Sequence, residues 1–340
     1  MNPSATLSAN DLERAVTLLR AGELVAFPTE TVYGLGADAG NPAAVARIFA
    51  AKGRPSDHPV IVHVASAAGV DDFADRIPGP ARRLAAALWP GPLTLVLPRA
   101  PGTADLLTGG QDTVGLRCPS HPLAQALLLA CQRAGIRGLA APSANRFGRL
   151  SPTTAAHVRA EFGAGLLVLD GGPCDIGIES TIVAFHDDRP RILRPGMIDA
   201  RTIERVSGVP LAATVQPAPR VSGALAQHYA PTTPLELLDQ QALVDRAAGL
   251  AAGGQPMAVF ASAGTLARIV PVDGTRTRIA PDSPAGYARM LYAALHALDR
   301  VGACAILVEL PPTENGWEAI HDRLARAAAG AGEQRADGPL

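Results

Sequence analysis

Apolar and polar positions along the chain change period repeatedly, and each change marks an element. Leu12, Val16 and Leu19 recur at helical spacing, between Ser8-x-x-Asp11, which has the form of a capping box, and a stop at Gly22. Residues 24–27 then read as a short strand, followed by a polar, turn-rich stretch over 28–36. Pro42 suits the first turn of a helix running to about Ala51, and the β-branched run 60–64 is strand-like. The rhythm continues with helices over 81–88, 122–134 and 153–162. Strands are predicted over 93–97, 113–117, 166–170, 180–185 and 191–194, with a short apolar piece at 138–141. Adjacent strands mixed with helices predict an α/β unit over 1–206 whose twisted sheet is partly parallel and partly antiparallel.

Periodicity lapses over 207–233, which is rich in Pro, Ala, Val and Ser and reads as a linker. A smaller α/β unit is predicted over 234–328, with helices at 240–250, 285–298 and 317–326 and strands at 257–261 and 305–308. In the middle helix Tyr287, Leu291, Leu295 and Leu298 share one face. This alternation favours a small parallel sheet, and the Gly- and Ala-rich stretch 329–340 reads as a frayed tail.

Length agrees with two units, since 340 residues exceed the roughly 250–300 at which single cores stop growing. Formal net charge is −1, so the basic excess of a general nucleic-acid or membrane-surface binder is missing. No apolar run reaches the ~18–20 residues that span a membrane, and no signal-peptide pattern opens the chain. Cys118, Cys131, Cys174 and Cys304 are scattered without a Cys-x-x-Cys, as expected of free thiols in a reducing, cytoplasmic setting. The cations are lopsided: 29 arginines accompany one lysine, Lys52. An ammonium is a compact point charge and a guanidinium a planar fork, so the exception is a pointer to chemistry.

Common catalytic templates fail. No Gly-x-x-x-x-Gly-Lys-Ser/Thr loop and no Gly-x-Ser-x-Gly elbow occur, and His58 and His63 lack metal-ligand spacing. Gly34-Leu-Gly36-Ala-Asp-Ala39 fits a loose dinucleotide fingerprint, but its first glycine lies past the strand and the helix opens only near Pro42. Polar clusters remain. Lys52-Gly-Arg-Pro55 sets two cations around a glycine at a helix end, suited to a polyanion or simply to the helix dipole. Pro142-Ser-Ala-Asn145 could bond a nucleotide or make ordinary turns. Glu179-Ser-Thr-Ile-Val183 opens a strand with hydroxyls on both faces, and Arg191-Ile-Leu-Arg194-Pro-Gly196 ends one on an arginine. Thr113, Gly115 and Arg117 share one side of a strand. Four of these five clusters lie at strand ends, where open α/β sheets collect ligands. The residues point to a small-anion or nucleotide site without specifying a reaction.

Pro28-Thr-Glu-Thr-Val-Tyr-Gly-Leu35, Lys52-Gly-Arg-Pro55, Pro142-Ser-Ala-Asn145, Ser180-Thr-Ile-Val183 and Arg194-Pro-Gly196, in that order, resemble the YrdC-like domain of threonylcarbamoyl-AMP synthases. His228-Tyr-Ala-Pro231 and the domain C-terminal to it look like the two-domain form, whose second unit is a Rossmann-like α/β domain. The resemblance implies synthesis of threonylcarbamoyl-AMP and pyrophosphate from L-threonine, bicarbonate or CO2, and ATP. The product would go to a downstream tRNA threonylcarbamoyl-transferase complex, without strong direct nucleic-acid binding. It also implies roles. Lys52 and Arg54 would be catalytic and, with His58, Thr113, Ser143, Asn145, Ser151, Arg194 and the lid residue Tyr229, would hold ATP. Thr31, His63, Arg117, Ala141 and Ser180 would surround L-threonine. Mg2+ would bridge phosphate oxygens without protein ligands. Two positions depart from the family pattern: His58 stands where relatives often carry Asn, and Val221-Ser-Gly-Ala-Leu-Ala-Gln227 replaces a common Pro-Gly-Met stretch. Two other readings stay open. An RNA-binding module of the same fold would need aromatics interleaved with basic residues. A carbamoyl-transfer domain would bring zinc-finger or acylphosphatase segments, and the chain contains neither.

Overall fold

A computed structural model describes residues 9–103, 105–213, 218–223, 225 and 228–331. Ser8 of the expected capping box, part of the 221–227 stretch and the 332–340 tail lie outside the described residues. Two compact units emerge, one within Met1–Phe147 and Pro152–Ala224, the other within Gly148–Ser151 and Leu225–Leu340.

The first unit holds nine strands: β1 Val25–Phe27, β2 Gly34–Asp38, β3 Ile61–His63, β4 Leu93–Pro98, β5 Thr113–Arg117, β6 Leu139–Ala140, β7 Leu167–Val168, β8 Thr181–His186 and β9 Arg189–Arg194. They form one sheet in the order β7-β1-β2-β6-β3-β5-β4-β8-β9. The pairs β1–β7, β3–β5 and β4–β8 are parallel and the others antiparallel. Strand alternation divides the core. Val25 and Phe27 face a cluster with Ala15, Leu19, Leu127 and Leu128 from helices Ala9–Arg20 and Pro122–Arg133. Ala26 faces the larger cluster on the other side, with Ile48, Phe49 and Leu84. Both sheet faces are therefore covered.

One segment departs from the sequence expectation. The stretch 28–36, read as turns, ends in strand β2, where Gly34 and Gly36 pair with Phe27 and Val25. A Cβ on Gly36 would lie 2.8 Å from Phe27 Cε1 and 3.2 Å from the Val25 carbonyl, so glycine here serves close strand approach. A phosphate-turn geometry is absent, because the glycines of the loose dinucleotide fingerprint lie in an extended strand. Helix Ala200–Ser207 is a further element that the sequence pattern does not announce.

The second unit carries four strands, β10 Leu235–Leu238, β11 Ala258–Ala261, β12 Arg276–Ile279 and β13 Ile306–Glu309, all parallel in the order β10-β13-β11-β12. The parallel sheet is as expected. Helix Pro284–Asp299 buries Tyr287, Leu291, Leu295 and Leu298, and helix Glu318–Ala331 runs past the predicted start of the frayed tail. Strand β12 is invisible to a periodicity reading because all four of its residues are exposed on the sheet edge, so it has no apolar alternation.

Gly36→Ala is expected to destabilise the protein by about 1–3 kcal/mol, because backbone and a ring block the new methyl. Gly249→Ala, inside helix Gln240–Ala252 with open space around it, is expected to add about 0.5–1 kcal/mol. Urea unfolding of both variants measures the contrast; equal effects would contradict the packing assigned to Gly36.

Candidate active site

The helix that delivers Lys52 is punctuated at both ends. Asn41 caps it, its Oδ1 accepting from the amides of Ala43 and Ala44 at 3.1 and 3.2 Å, with Pro42 in the first turn. Gly53, at φ 63°, closes it by returning its amide to Ala50. The reversal turns Lys52 inward, where it is 3% exposed. Its Nζ donates to the Ser143 carbonyl at 2.6 Å and to the Asn145 carbonyl, and its own carbonyl accepts from the Phe147 amide at 2.8 Å. Burial pushes its amine well below the usual range, nearby Arg54 adds to that, and Glu161 opposes it.

Arg54 is buried as well. Its Nη2 donates to the Pro59 carbonyl at 2.8 Å, and its guanidinium lies 5.8 Å from the centre of the Phe147 ring. His58 meets the same ring edge-on at 5.3 Å, and burial and Arg54 hold its pKa low. The Ser143–Asn145 loop is pinned in turn by main-chain bonds: Leu35 to Pro142 and Ala144 to Tyr33, each 2.8 Å. Three of the sequence motifs thus meet. The loop also makes a local turn, Asn145 N donating to Ser143 O at 3.0 Å, so a turn and a site coexist in the same residues.

A second cluster surrounds Arg117 at the end of β5, 4% exposed and in register with His63 of β3 and Thr94 of β4. Its Nη1 donates to Thr31 Oγ1 at 2.8 Å, its Nε to the Gly91 carbonyl at 3.3 Å, and its Nη2 lies 2.6 Å from Glu30 Oε1. His63 is buried beside it, its pKa pushed down to about 3 by burial and by the Arg117 charge. Ala141 is buried, with its amide on the Ile61 carbonyl at 2.9 Å. Ser180 shares a 2.7 Å hydroxyl contact with Thr94, while Arg194 reaches the Ser180 carbonyl at 2.9 Å and its hydroxyl at 3.1 Å. Arg194 Nη1 also donates to the Ser222 carbonyl at 2.9 Å. Thr113, at the other end of β5, lines a recess with Ile61, Thr94, Gly115, Arg220 and Ser222.

Ser151 and Tyr229 fall in the second unit. The Ser151 carbonyl lies 3.2 Å from His296 Nε2. Tyr229, at φ 62°, packs against the rings of His228 and Tyr292 at 4.2 and 5.8 Å, with the Arg323 guanidinium 5.4 Å from its ring centre.

Sequence reasoning misses Glu30, Thr94, Phe147 and Arg220 as members of these clusters. Glu30 sits inside a quoted motif without being singled out by it. Thr94 carries no signal, because a threonine in an apolar strand reads as β propensity. Among the described residues no group of three His, Cys, Asp or Glu side chains is placed to hold a metal ion, and no helix is long and apolar enough to cross a membrane.

Known families match the chain in two successive segments. The Sua5/YciO/YrdC family model, described as telomere recombination, matches residues 17–196, and the model of the threonylcarbamoyl-AMP synthase C-terminal domain matches 198–329. Threonylcarbamoyl-AMP synthase of Bacillus subtilis is 40% identical, the match covering 95% of each chain. Its counterpart in Pyrococcus abyssi is 37% identical over 92% of this chain and 93% of that one. The crystal structure of P. abyssi Sua5 complexed with L-threonine superposes with a TM-score of 0.83 at 36% identity, covering 94% of both chains. Two successive domain matches and relatives aligned along nearly their whole length place this chain in the threonylcarbamoyl-AMP synthase family.

Proposed function

We propose that this protein condenses L-threonine, bicarbonate or CO2, and ATP into threonylcarbamoyl-AMP and pyrophosphate. The observation that carries the reading is the presence, in one α/β unit, of both a buried Lys52–Arg54 pair and a buried cluster centred on Arg117. The first suits a polyphosphate and the second an amino-acid carboxylate. In this reaction the carbamate oxygen of N-carboxythreonine attacks the α-phosphorus and pyrophosphate leaves. No protein nucleophile is required, and rate comes from positioning and from neutralising charge on the leaving group.

In this reading Lys52 and Arg54 act on the departing phosphates, with His58, Thr113, Ser143, Asn145 and Arg194 as further contacts of the nucleotide. Thr31, His63, Arg117, Ala141 and Ser180 take L-threonine, as a P. abyssi relative binds that amino acid. Mg2+ would come with the nucleotide as part of the substrate, since dedicated all-protein magnesium cages are uncommon. The product supplies a tRNA threonylcarbamoyl-transferase complex in the cytoplasm.

The direct test supplies ATP, bicarbonate, Mg2+ and each amino acid in turn and measures pyrophosphate release. Preference for L-threonine is expected; release without any amino-acid preference would sink the reading. Lys52→Ala is expected to lower release by about 100-fold or more while keeping the circular dichroism of the wild type. Lys52→Arg should fail to restore it, because a planar fork cannot sit between the two carbonyls that hold the ammonium.

Protonation offers a further check. His63 is neutral when folded, with a pKa near 3 against an ordinary value of 6.5. The unfolded chain therefore binds one more proton in that interval, and stability falls as pH drops from about 6.5 towards 3. The slope from this one group approaches about 1.4 kcal/mol per pH unit. Chemical denaturation of His63→Gln at pH 7 and pH 5 should show a smaller acid loss than the wild type shows. An unchanged loss would remove His63 as its source.

A further inference from the structure

Glu30 is anomalous in a cluster suited to anions. It is 5% exposed, and its Oε1 lies 2.6 Å from Arg117 Nη2. The contact is charge against charge rather than an aligned hydrogen bond. Neither Glu30 oxygen has a well-directed donor, and Arg117 Nη2 has no well-directed acceptor. His63 Nδ1, on the strand beside Arg117, is a further buried atom without a partner. Buried polar atoms are ordinarily satisfied, so three adjacent residues with unmet capacity mark a place built for a polar ligand.

The loop carrying Glu30 is held from both sides. Thr29 Oγ1 contacts Thr31 Oγ1 at 2.8 Å and donates to the Val32 carbonyl at 2.7 Å, and the Glu30 carbonyl accepts from the Ile176 amide at 2.8 Å. The backbone that carries the carboxylate is therefore held in place. A simple anion would gain little here, since Glu30 already offsets the charge of Arg117 and would repel it. A zwitterion fits both halves. Its carboxylate satisfies the guanidinium and its ammonium satisfies the carboxylate, so each buried charge gains an aligned partner. His63, held neutral by burial and Arg117, adds no positive charge to compete for Glu30.

Building on the placement of L-threonine at Arg117, we propose that Glu30 is the partner of the substrate's α-ammonium group, so that Glu30 and Arg117 together select the zwitterion of an α-amino acid. Glu30 is thus a specificity-determining residue, and acids lacking the amine are rejected by its charge.

The test measures binding to the full-length protein by calorimetry, using L-threonine and its des-amino analogue, 3-hydroxybutyrate. The wild type should prefer threonine by about 10- to 100-fold, the worth of a hydrogen bond between charged groups. Glu30→Gln should weaken threonine about tenfold or more while leaving 3-hydroxybutyrate unchanged or tighter, so the preference collapses; Glu30→Asp should restore part of it. Equal weakening of both ligands would reduce Glu30 to a structural role and overturn the proposal, as would an unchanged preference. Should Glu30→Gln fail to fold, wild-type protein that binds 3-hydroxybutyrate as tightly as threonine overturns it without any variant. Arg117→Gln separates the two readings, because both ligands carry a carboxylate and both should weaken. If neither does, the placement of threonine at Arg117 is wrong, whatever Glu30 contributes.

Discussion

A buried ammonium must find acceptors, and that requirement organises the catalytic half of this protein. Lys52 lies at the end of one helix, and the carbonyls of Ser143 and Asn145 that receive its protons lie far along the chain. Leaving such a charge unpaired would cost several kcal/mol, so the loop must be shaped to deliver two carbonyls to one point. The bonds from Leu35 to Pro142 and from Ala144 to Tyr33 do that shaping. The polar segment after β1, the helix end and the Ser143 loop are therefore one assembly, and a change in any of them reaches the ammonium.

How much of this is legible in the sequence depends on the kind of signal. Elements whose side chains alternate between core and solvent are readable: β5 over Thr113–Arg117 matches the predicted span residue for residue. Strand β2 is not, because its glycines are there for close approach to Phe27, and a glycine chosen for packing looks in sequence like one chosen for a turn. Strand β12 is hidden by exposure. For the site, the cations and hydroxyls are visible as motifs, but their partners are mostly backbone carbonyls, which have no letter in the sequence. Glu30 escapes notice because a carboxylate inside an anion-binding motif makes sense only once its 2.6 Å contact with Arg117 is seen.

Net charge −1 also conceals how the charges are arranged. Lys52, Arg54, Arg117 and Arg194 are all buried in the first unit against the two buried carboxylates of Glu30 and Glu179, whereas acidic residues such as Asp57, Asp187 and Asp188 are exposed. A balanced total is compatible with a local field strong enough to hold a nucleotide, because buried charges are screened far less than surface ones. A balanced composition does not exclude a small, deep anion site.

The distinction between Lys52 and the surrounding arginines is a matter of donor geometry. An ammonium has three N–H groups at tetrahedral angles, and two of them point at the Ser143 and Asn145 carbonyls. The third direction is set by the other two, so the protein aims it by fixing the carbonyls. A neutral amine in the same place has only two protons, both already committed, and presents a lone pair along the third direction. Burial and Arg54 favour that neutral form, and an approaching phosphate favours the charged one. Anion binding therefore opposes the lowering of the Lys52 pKa. An arginine, charged at every accessible pH and unable to divide its fork between two facing carbonyls, could offer neither the aimed donor nor the coupling.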